Sequence, residues 1–162
     1  MTRLPNVVLT THQNDRVRFY DDLLKGKIVV ISFMYTRCEG RCPATIATVR
    51  RLQEALGARA GRDVFLHSIT LDPAYDTPRV LGAYAAGVGA GPGWRFLTGA
   101  VADVDSIRRA VGFVDPDPVI DADKSQHAQL LLLGNERIDR WAACPALLKL
   151  DRILRLLGRL AG

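Results

Sequence analysis

Lys27-Ile28-Val29-Val30-Ile31-Ser32-Phe33-Met34-Tyr35-Thr36-Arg37-Cys38-Glu39-Gly40-Arg41-Cys42-Pro43 is the stretch on which the fold turns. Its first half, Lys27 to Met34, is apolar on both faces, the pattern of a central parallel strand covered on two sides. Pro43 disfavours helical geometry at the residue before it and suits the first position of a helix. A helix is therefore predicted from Pro43 to about Ala60, with Ile46, Val49, Leu52 and Leu56 along one stripe. Cys42 falls at or near the N-cap of that helix, and Cys38 lies in the loop between strand and helix. Gly40 lets this loop turn tightly.

Working outward, the hydrophobic rhythm alternates short β-like runs with longer helical ones. Val7 to Leu9 and Val17 to Phe19 read as strands about a polar Gln13-Asn14-Asp15 turn. Val64 to Leu71 reads as a second buried strand, and Thr77-Pro78 opens a helix that decays into the glycine-rich Gly87 to Gly93. Trp94 to Leu97 is a further strand and Ala102 to Val111 a further helix. Asp115-Pro116-Asp117-Pro118 reads as an exposed loop. Gln129 to Leu133 and Ile138 to Trp141 suggest a hairpin around Gly134-Asn135, and Pro145 to Leu160 an amphipathic closing helix, with Leu147, Leu150, Ile153, Leu154 and Leu157 toward the core. The order predicts one domain over residues 1–162. Its class is α/β: a thioredoxin-like sandwich with a central mixed sheet flanked by helices and an N-terminal strand extension.

Two sulfurs as close in sequence as Cys38 and Cys42 can meet in a disulfide or converge on one metal ion. A helix N-terminus, with the cationic Arg37 and Arg41, favours thiolate, the form needed for exchange and for ligation alike. Two thiolates do not complete a structural zinc site, and the sequence holds no second such pair. A further ligand has to come from elsewhere, with three histidines as candidates. His12 sits in a polar turn and is expected to be solvated, while His67 lies inside a strand and is expected to be packed or edge-facing. His127 begins the strand Ala128 to Leu133, which in a thioredoxin-like sheet neighbours the one that ends in the dithiol, a position from which it can face the sulfurs. Cys144, between Trp141 and Pro145, reads as a small buried hydrophobe.

Composition narrows the class. The 162 residues carry 22 Lys and Arg against 17 Asp and Glu, a formal charge of +5, and the basic residues are scattered. No basic, aromatic-rich strand suggests a nucleic-acid platform, and none is expected as a partner. Three cysteines are too few to staple a small disulfide-built domain. The apolar runs are too short to span a bilayer, and no leader opens the chain, so membrane attachment is expected only through an anchor outside it.

Taken together, Phe33 through Pro43, Leu71-Asp72-Pro73-Ala74-Tyr75-Asp76-Thr77-Pro78 and the distant His127 resemble the Sco/SenC family, thioredoxin-fold copper chaperones for assembly of the dinuclear copper site of cytochrome c oxidase. The sequence departs from that pattern at Glu39, where the family has proline, at Gln126, where it has aspartate, and in the leucine run Leu130 to Leu133, where it has tyrosine. The resemblance implies copper as cargo, one per chain as Cu(I) or Cu(II), with Cys38, Cys42 and His127 as ligands. Thiolate suits Cu(I) and imidazole suits Cu(II). It implies a monomer, periplasmic or otherwise extracytoplasmic and membrane-associated in full-length form. The implied partners are the copper-bearing oxidase subunit or another copper chaperone. Asp72 and Asp76 match the family's acidic motif; a helix cap is the expected role of Asp76, and Asp72 is either a turn former or part of the site.

The same sulfurs would equally serve a thiol–disulfide oxidoreductase, with Cys38 and Cys42 as its redox pair, keeping a partner's copper-site dithiol reduced. A thiol peroxidase fits less well. Tyr35 and Glu39 stand three residues before the cysteines, where such enzymes use Thr or Ser.

Overall fold

The computed structural model describes residues 4–38, 42–123 and 129–162, with Cys42 described by its backbone alone. Seven strands form one sheet: β1 (Val8–Thr11), β2 (Arg16–Arg18), β3 (Ile28–Met34), β4 (Val64–Thr70), β5 (Trp94–Thr98), β6 (Leu130–Asn135) and β7 (Arg140–Pro145). Their spatial order is β2-β1-β5-β4-β3-β6-β7. β3 runs parallel to β4 and antiparallel to β6, so the expected central strand is the seam of a mixed sheet. Among the described residues the helices are α1 (Cys42–Leu56), α2 (Pro78–Val88), α3 (Val101–Ala110), α4 (Pro118–Ala122) and α5 (Leu150–Leu160). A β3–α1–β4 half and a β6–β7–α5 half meet along the β3–β6 ladder, which is the expected thioredoxin-like arrangement. The β1–β2 extension pairs with β5 at the far side of the sheet.

The two-faced hydrophobicity of β3 has a direct consequence. Val30 and Met34 join Leu66, Trp94, Leu131 and Leu133 beneath α1, α2 and α5, where Ile46, Val49, Leu52, Leu81, Ile153 and Leu157 close the layer. Val29, Ile31 and Phe33 point the other way, against Phe19, Leu23 and Leu24 of a π-helical turn and against Val104 and Ile107 of α3. Alternation along a strand with both faces covered leaves no polar side to the run. Ser32 is the exception. It is buried, and its hydroxyl lies 2.7 Å from that of Ser68, which in turn accepts from Trp94 Nε1 at 2.9 Å. The polar atoms on this face of the sheet thus satisfy one another.

Three expected boundaries differ. Gly134 and Asn135 are not a turn but the end of β6, paired with Trp141 and Arg140. The reversal falls one turn later, in the 3₁₀ segment Glu136–Ile138 followed by Asp139 with φ 50°. Gly134 is required for packing, since a Cβ there would sit 2.1 Å from Cε3 of Trp141. Pro118 does not merely end a loop; it opens α4 behind an Asp117 N-cap whose side chain accepts from Val119 N at 2.9 Å. The closing helix begins at Leu150 rather than Pro145, because β7 continues to Pro145. Leu147 is consequently 72% exposed, while Ile153, Leu157 and Leu160 are the buried face of α5.

Candidate functional site

β3 and β4 end side by side, and their outgoing loops stay together. The parallel ladder continues past the strands through Leu71 N donating to Met34 O at 2.7 Å. After β3 the chain turns through Tyr35-Thr36-Arg37, closed by Cys38 N donating to Tyr35 O at 3.1 Å. Cys38 is buried at 9% exposure and packs with the helix-side core. Cys42 is the first residue of α1, so its backbone lies where the helix dipole is positive. The first turn of α1 carries no acidic residue to offset that end. The region is the carboxyl end of two parallel strands at the point where the sheet changes direction, the common place for a site in an α/β fold.

The loop after β4 grips the loop before Cys38. Asp76 is fully buried and accepts three hydrogen bonds: from Thr36 N at 3.0 Å, from Thr70 Oγ1 at 2.7 Å, and from Thr36 Oγ1. Its expected role as a helix cap falls to its neighbour. Thr77 is the N-cap of α2 and accepts from Val80 N at 3.3 Å, with Pro78 in the first turn. A carboxylate surrounded by donors of a different loop is worth more as a brace than as a cap, because it ties together segments far apart in sequence.

Asp72, 6% exposed, receives both Nε and Nη2 of Arg37 on one oxygen, at 3.2 and 2.8 Å. Its backbone N donates to Thr70 Oγ1 at 2.9 Å, and its carbonyl accepts from Tyr75 N and Asp76 N, so it is also the turn former expected of it. The Arg37 guanidinium lies 4.1 Å from the centre of the Tyr75 ring. The charge expected to bias the thiols is therefore engaged by a carboxylate and an aromatic face. Thr36, Thr70 and the Arg37–Tyr75 stack are parts of the site that no spacing rule signals, since their role exists only once β3 and β4 are adjacent.

His127 lies outside the described residues, as do Glu39, Gly40 and Arg41. Its flank on the carboxyl side is fixed: Gln129 O accepts from Ala146 N at 2.7 Å, and Leu131 pairs with Ser32, so the start of β6 lies at the end of the sheet where β3 finishes. The other histidines are engaged elsewhere. His67 is buried, with Nε2 3.0 Å from Leu23 O and, among the described residues, no hydrogen-bond partner for Nδ1, and burial lowers its pKa to about 4. His12 is not simply solvated; its Nδ1 accepts from Phe96 N at 3.1 Å, and partial burial lowers its pKa. Cys144 is buried in β7, and burial pushes its thiol pKa up, as a core hydrophobe's would be. Among the described residues no three His, Cys, Asp or Glu side chains form a metal-holding group. No helix among them is long and apolar enough to cross a membrane.

Comparison with known proteins addresses the arrangement as a whole. The SCO1/SenC family model matches residues 8–140, from β1 into β7. The chain belongs to the SCO1/SenC family. A Stutzerimonas stutzeri protein named for copper binding is 34% identical over 151 residues, 91% of this chain and 72% of that one. Among solved structures, Bradyrhizobium japonicum ScoI with copper bound is similar at 24% identity and TM-score 0.73, covering 94% of this chain and 96% of that one. BsSco, described as a member of the Sco family of cytochrome c oxidase assembly proteins and as having a disulfide switch, is similar at 22% identity and TM-score 0.76, covering 96% of this chain and 91% of that one. These likenesses show the thioredoxin-like fold of this SCO1/SenC member.

Proposed function

We propose that this SCO1/SenC protein carries one copper ion on Cys38, Cys42 and His127 and passes it to the copper-bearing subunit of cytochrome c oxidase or to another copper chaperone, outside the cytoplasm. The observation that carries this reading is the brace beneath the dithiol: buried Asp76 holds Thr36, and Asp72 holds Arg37, the two residues leading into Cys38. A loop so fixed presents its sulfur in one place, which metal capture requires and a solvated thiol does not. The names of the relatives, one for copper binding and one for a structure with copper bound, support the choice of metal. Copper here is cargo. Two thiolates suit Cu(I), and a neutral imidazole added to them suits Cu(II), so one set of ligands spans both states.

The chemistry asked of the residues is modest. The backbone of Cys42 stands at the positive end of α1, where a negative charge is favoured. Ligation displaces the thiol protons and requires a neutral histidine, so affinity falls with acid. Transfer then proceeds by exchange of thiolates between two proteins, which requires the buried Cys38 to be exposed to the incoming pair by opening of its loop. A second reading, thiol–disulfide oxidoreduction through Cys38 and Cys42, is favoured by the disulfide switch described for BsSco.

Copper titration of the reduced protein, with the ultraviolet–visible spectrum of the Cu(II) form, tests the reading. One equivalent and thiolate-to-copper charge-transfer bands are expected, both lost in Cys38→Ser and Cys42→Ser. His127→Ala separates the two functions: Cu(II) binding is lost, Cu(I) binding persists at lower affinity, and disulfide formation survives. Normal oxidase assembly in cells carrying His127→Ala would refute delivery through His127 and put the oxidoreductase first.

A further inference from the structure

Gly158 lies within α5, where nothing in the fold asks for a glycine. It is not the C-cap, which is Ala161. Its backbone is not left-handed, and a Cβ built on it would meet no atom within 4 Å. Gly93 and Gly134, by contrast, are needed, since a neighbour would stand closer than 3.0 Å to a Cβ at either. A glycine inside a helix weakens it relative to alanine, so the residue has a cost and no packing reason. What it leaves is space.

That space belongs to a groove of 250 Å³ between α1 and α5. Leu154 and Leu157 form one wall, Ala55 and Leu56 the other, and Ile28 and Val64 at the starts of β3 and β4 complete it. Arg59 is its charged lining residue. Ile28 and Ala161 also line a second cavity, of 420 Å³, so the two adjoin. Beside Ala161, Asn135 Nδ2 donates to Leu160 O at 2.9 Å and fastens the end of α5 to β6, which holds that wall in place.

The second cavity is cationic. Lys27, Arg62 and Arg137 line it, with Asp63 as the carboxylate. Asp63 is already taken, by Arg62 Nη2 at 3.2 Å and Arg59 Nε at 3.4 Å. Glu136, next along the chain from Asn135, accepts from Gly26 N at 2.6 Å and from the Tyr20 hydroxyl. Lys27 Nζ stands 5.5 Å from the centre of the Phe65 ring, which also lines the cavity. Neither Lys27 nor Arg137 has a carboxylate partner among the described residues.

An apolar slot that adjoins two unpaired cations is complementary to a hydrocarbon chain with an anionic head. A neutral chain leaves the cations unanswered, and a compact anion leaves the groove empty. A peptide would carry backbone amides into a groove whose walls offer them almost no partners. The larger cavity is also of the size that small-molecule sites have, about 300–1,000 Å³.

We propose that these adjoining cavities bind a single-chain amphiphile with an anionic head, phosphate or carboxylate. The chain lies between α1 and α5 over Gly158, and the head meets Lys27 and Arg137. The site is at the end of β3 away from Cys38, so it stands apart from the copper reading.

The test is calorimetric titration of the full chain with decyl phosphate, decanoate and decanol, each below its micelle-forming concentration, beside flotation with phosphatidylglycerol vesicles. Saturable one-to-one binding of an anionic probe is expected, the tighter of the two naming the head group, with decanol about ten-fold weaker or more. Gly158→Leu puts a side chain where the hydrocarbon would lie and is expected to weaken binding about ten-fold or more. Lys27→Gln combined with Arg137→Gln is expected to weaken the anionic probes about five-fold or more and to leave decanol within about two-fold. Should Gly158→Leu not fold, Gly158→Ala carries the same comparison, with a loss of about two-fold or more. The inference is overturned if neither anion binds, if decanol binds as well as they do, or if filling Gly158 changes nothing. Binding to the vesicles alone overturns it too, and makes this end of the protein a membrane-contacting surface.

Discussion

Removing the Asp76 carboxylate is expected to loosen the loop before Cys38 by an amount that follows from its partners. Asp76 is fully buried and accepts from one backbone N–H and two hydroxyls. In Asp76→Ala the hydroxyls of Thr36 and Thr70 can rotate toward other acceptors, but the Thr36 amide cannot. Each buried donor left unmatched costs about 1–3 kcal/mol, and the lost carboxylate bonds are of the charge-assisted kind, so the variant is expected to be about 3–5 kcal/mol less stable. Asp76→Asn keeps the shape and one acceptor oxygen while turning an amide toward a donor, for a cost of about 1–2 kcal/mol. Urea unfolding gives these numbers directly.

The functional arm is the alkylation rate of Cys38 in the folded, reduced protein. Cys38 lies two residues beyond Thr36 in the same turn, so freeing Thr36 raises the population of open loops from which the buried thiol reacts. A local loss of about 3 kcal/mol corresponds to roughly a hundred-fold change in that population. An alanine variant within about 0.5 kcal/mol of the parent, with an unchanged alkylation rate, would refute the idea that Asp76 braces the thiol loop.

Burial of His67 gives a pH dependence with a definite sign. Its pKa falls from 6.5 unfolded to about 4 folded, so the unfolded chain takes up the proton first; stability is whole above pH 6.5 and drains away as pH falls toward 4, by about 3 kcal/mol in all. A His67→Gln variant should show a shallower slope between those limits in urea titrations; an identical slope would assign the effect to other groups. Gly134→Ala, which puts a Cβ 2.1 Å from the Trp141 ring, should cost about 1–3 kcal/mol and shift tryptophan emission, and an unperturbed variant would mean the β6–β7 register is wrong. Mild oxidation should join Cys38 to Cys42 and leave Cys144 titratable only after denaturation, because it is buried with a raised pKa; a mass map linking Cys144 to either thiol would refute the placement of β7.

Much of this architecture was legible because it rests on periodicity. The run from Ile28 to Met34 has to be covered on both faces, and Pro43 announces α1 within one residue. Local punctuation was less dependable where packing overrode it. Gly134-Asn135 reads as a turn, yet the glycine serves the Trp141 ring lying over β6, and the reversal waits for Asp139. Pro145 reads as a helix start, yet the β6 ladder holds it as the partner of Leu130. The two cysteines of the proposed site announce themselves by spacing. Asp76 did not announce its role, because Thr36 lies forty residues away and meets it only through the β3–β4 pairing.

The position of β6 in the sheet also dictates an order of events during synthesis. β3 is paired on one side with β4, which follows soon after it in the chain, and on the other with β6, where Ile28 meets Asn135 and Ser32 meets Leu131. Pairings between residues so far apart in sequence are slow to form, and this one is impossible until most of the protein has been made. A chain synthesised as far as β5 already holds Cys38 and Cys42, but not the histidine proposed to complete their site. Such an intermediate offers a metal two sulfurs and nothing else, a soft pair open to Cu(I) and to oxidation alike. On the ligand set proposed above, discrimination between Cu(I) and Cu(II) would begin only once β6 has paired with β3.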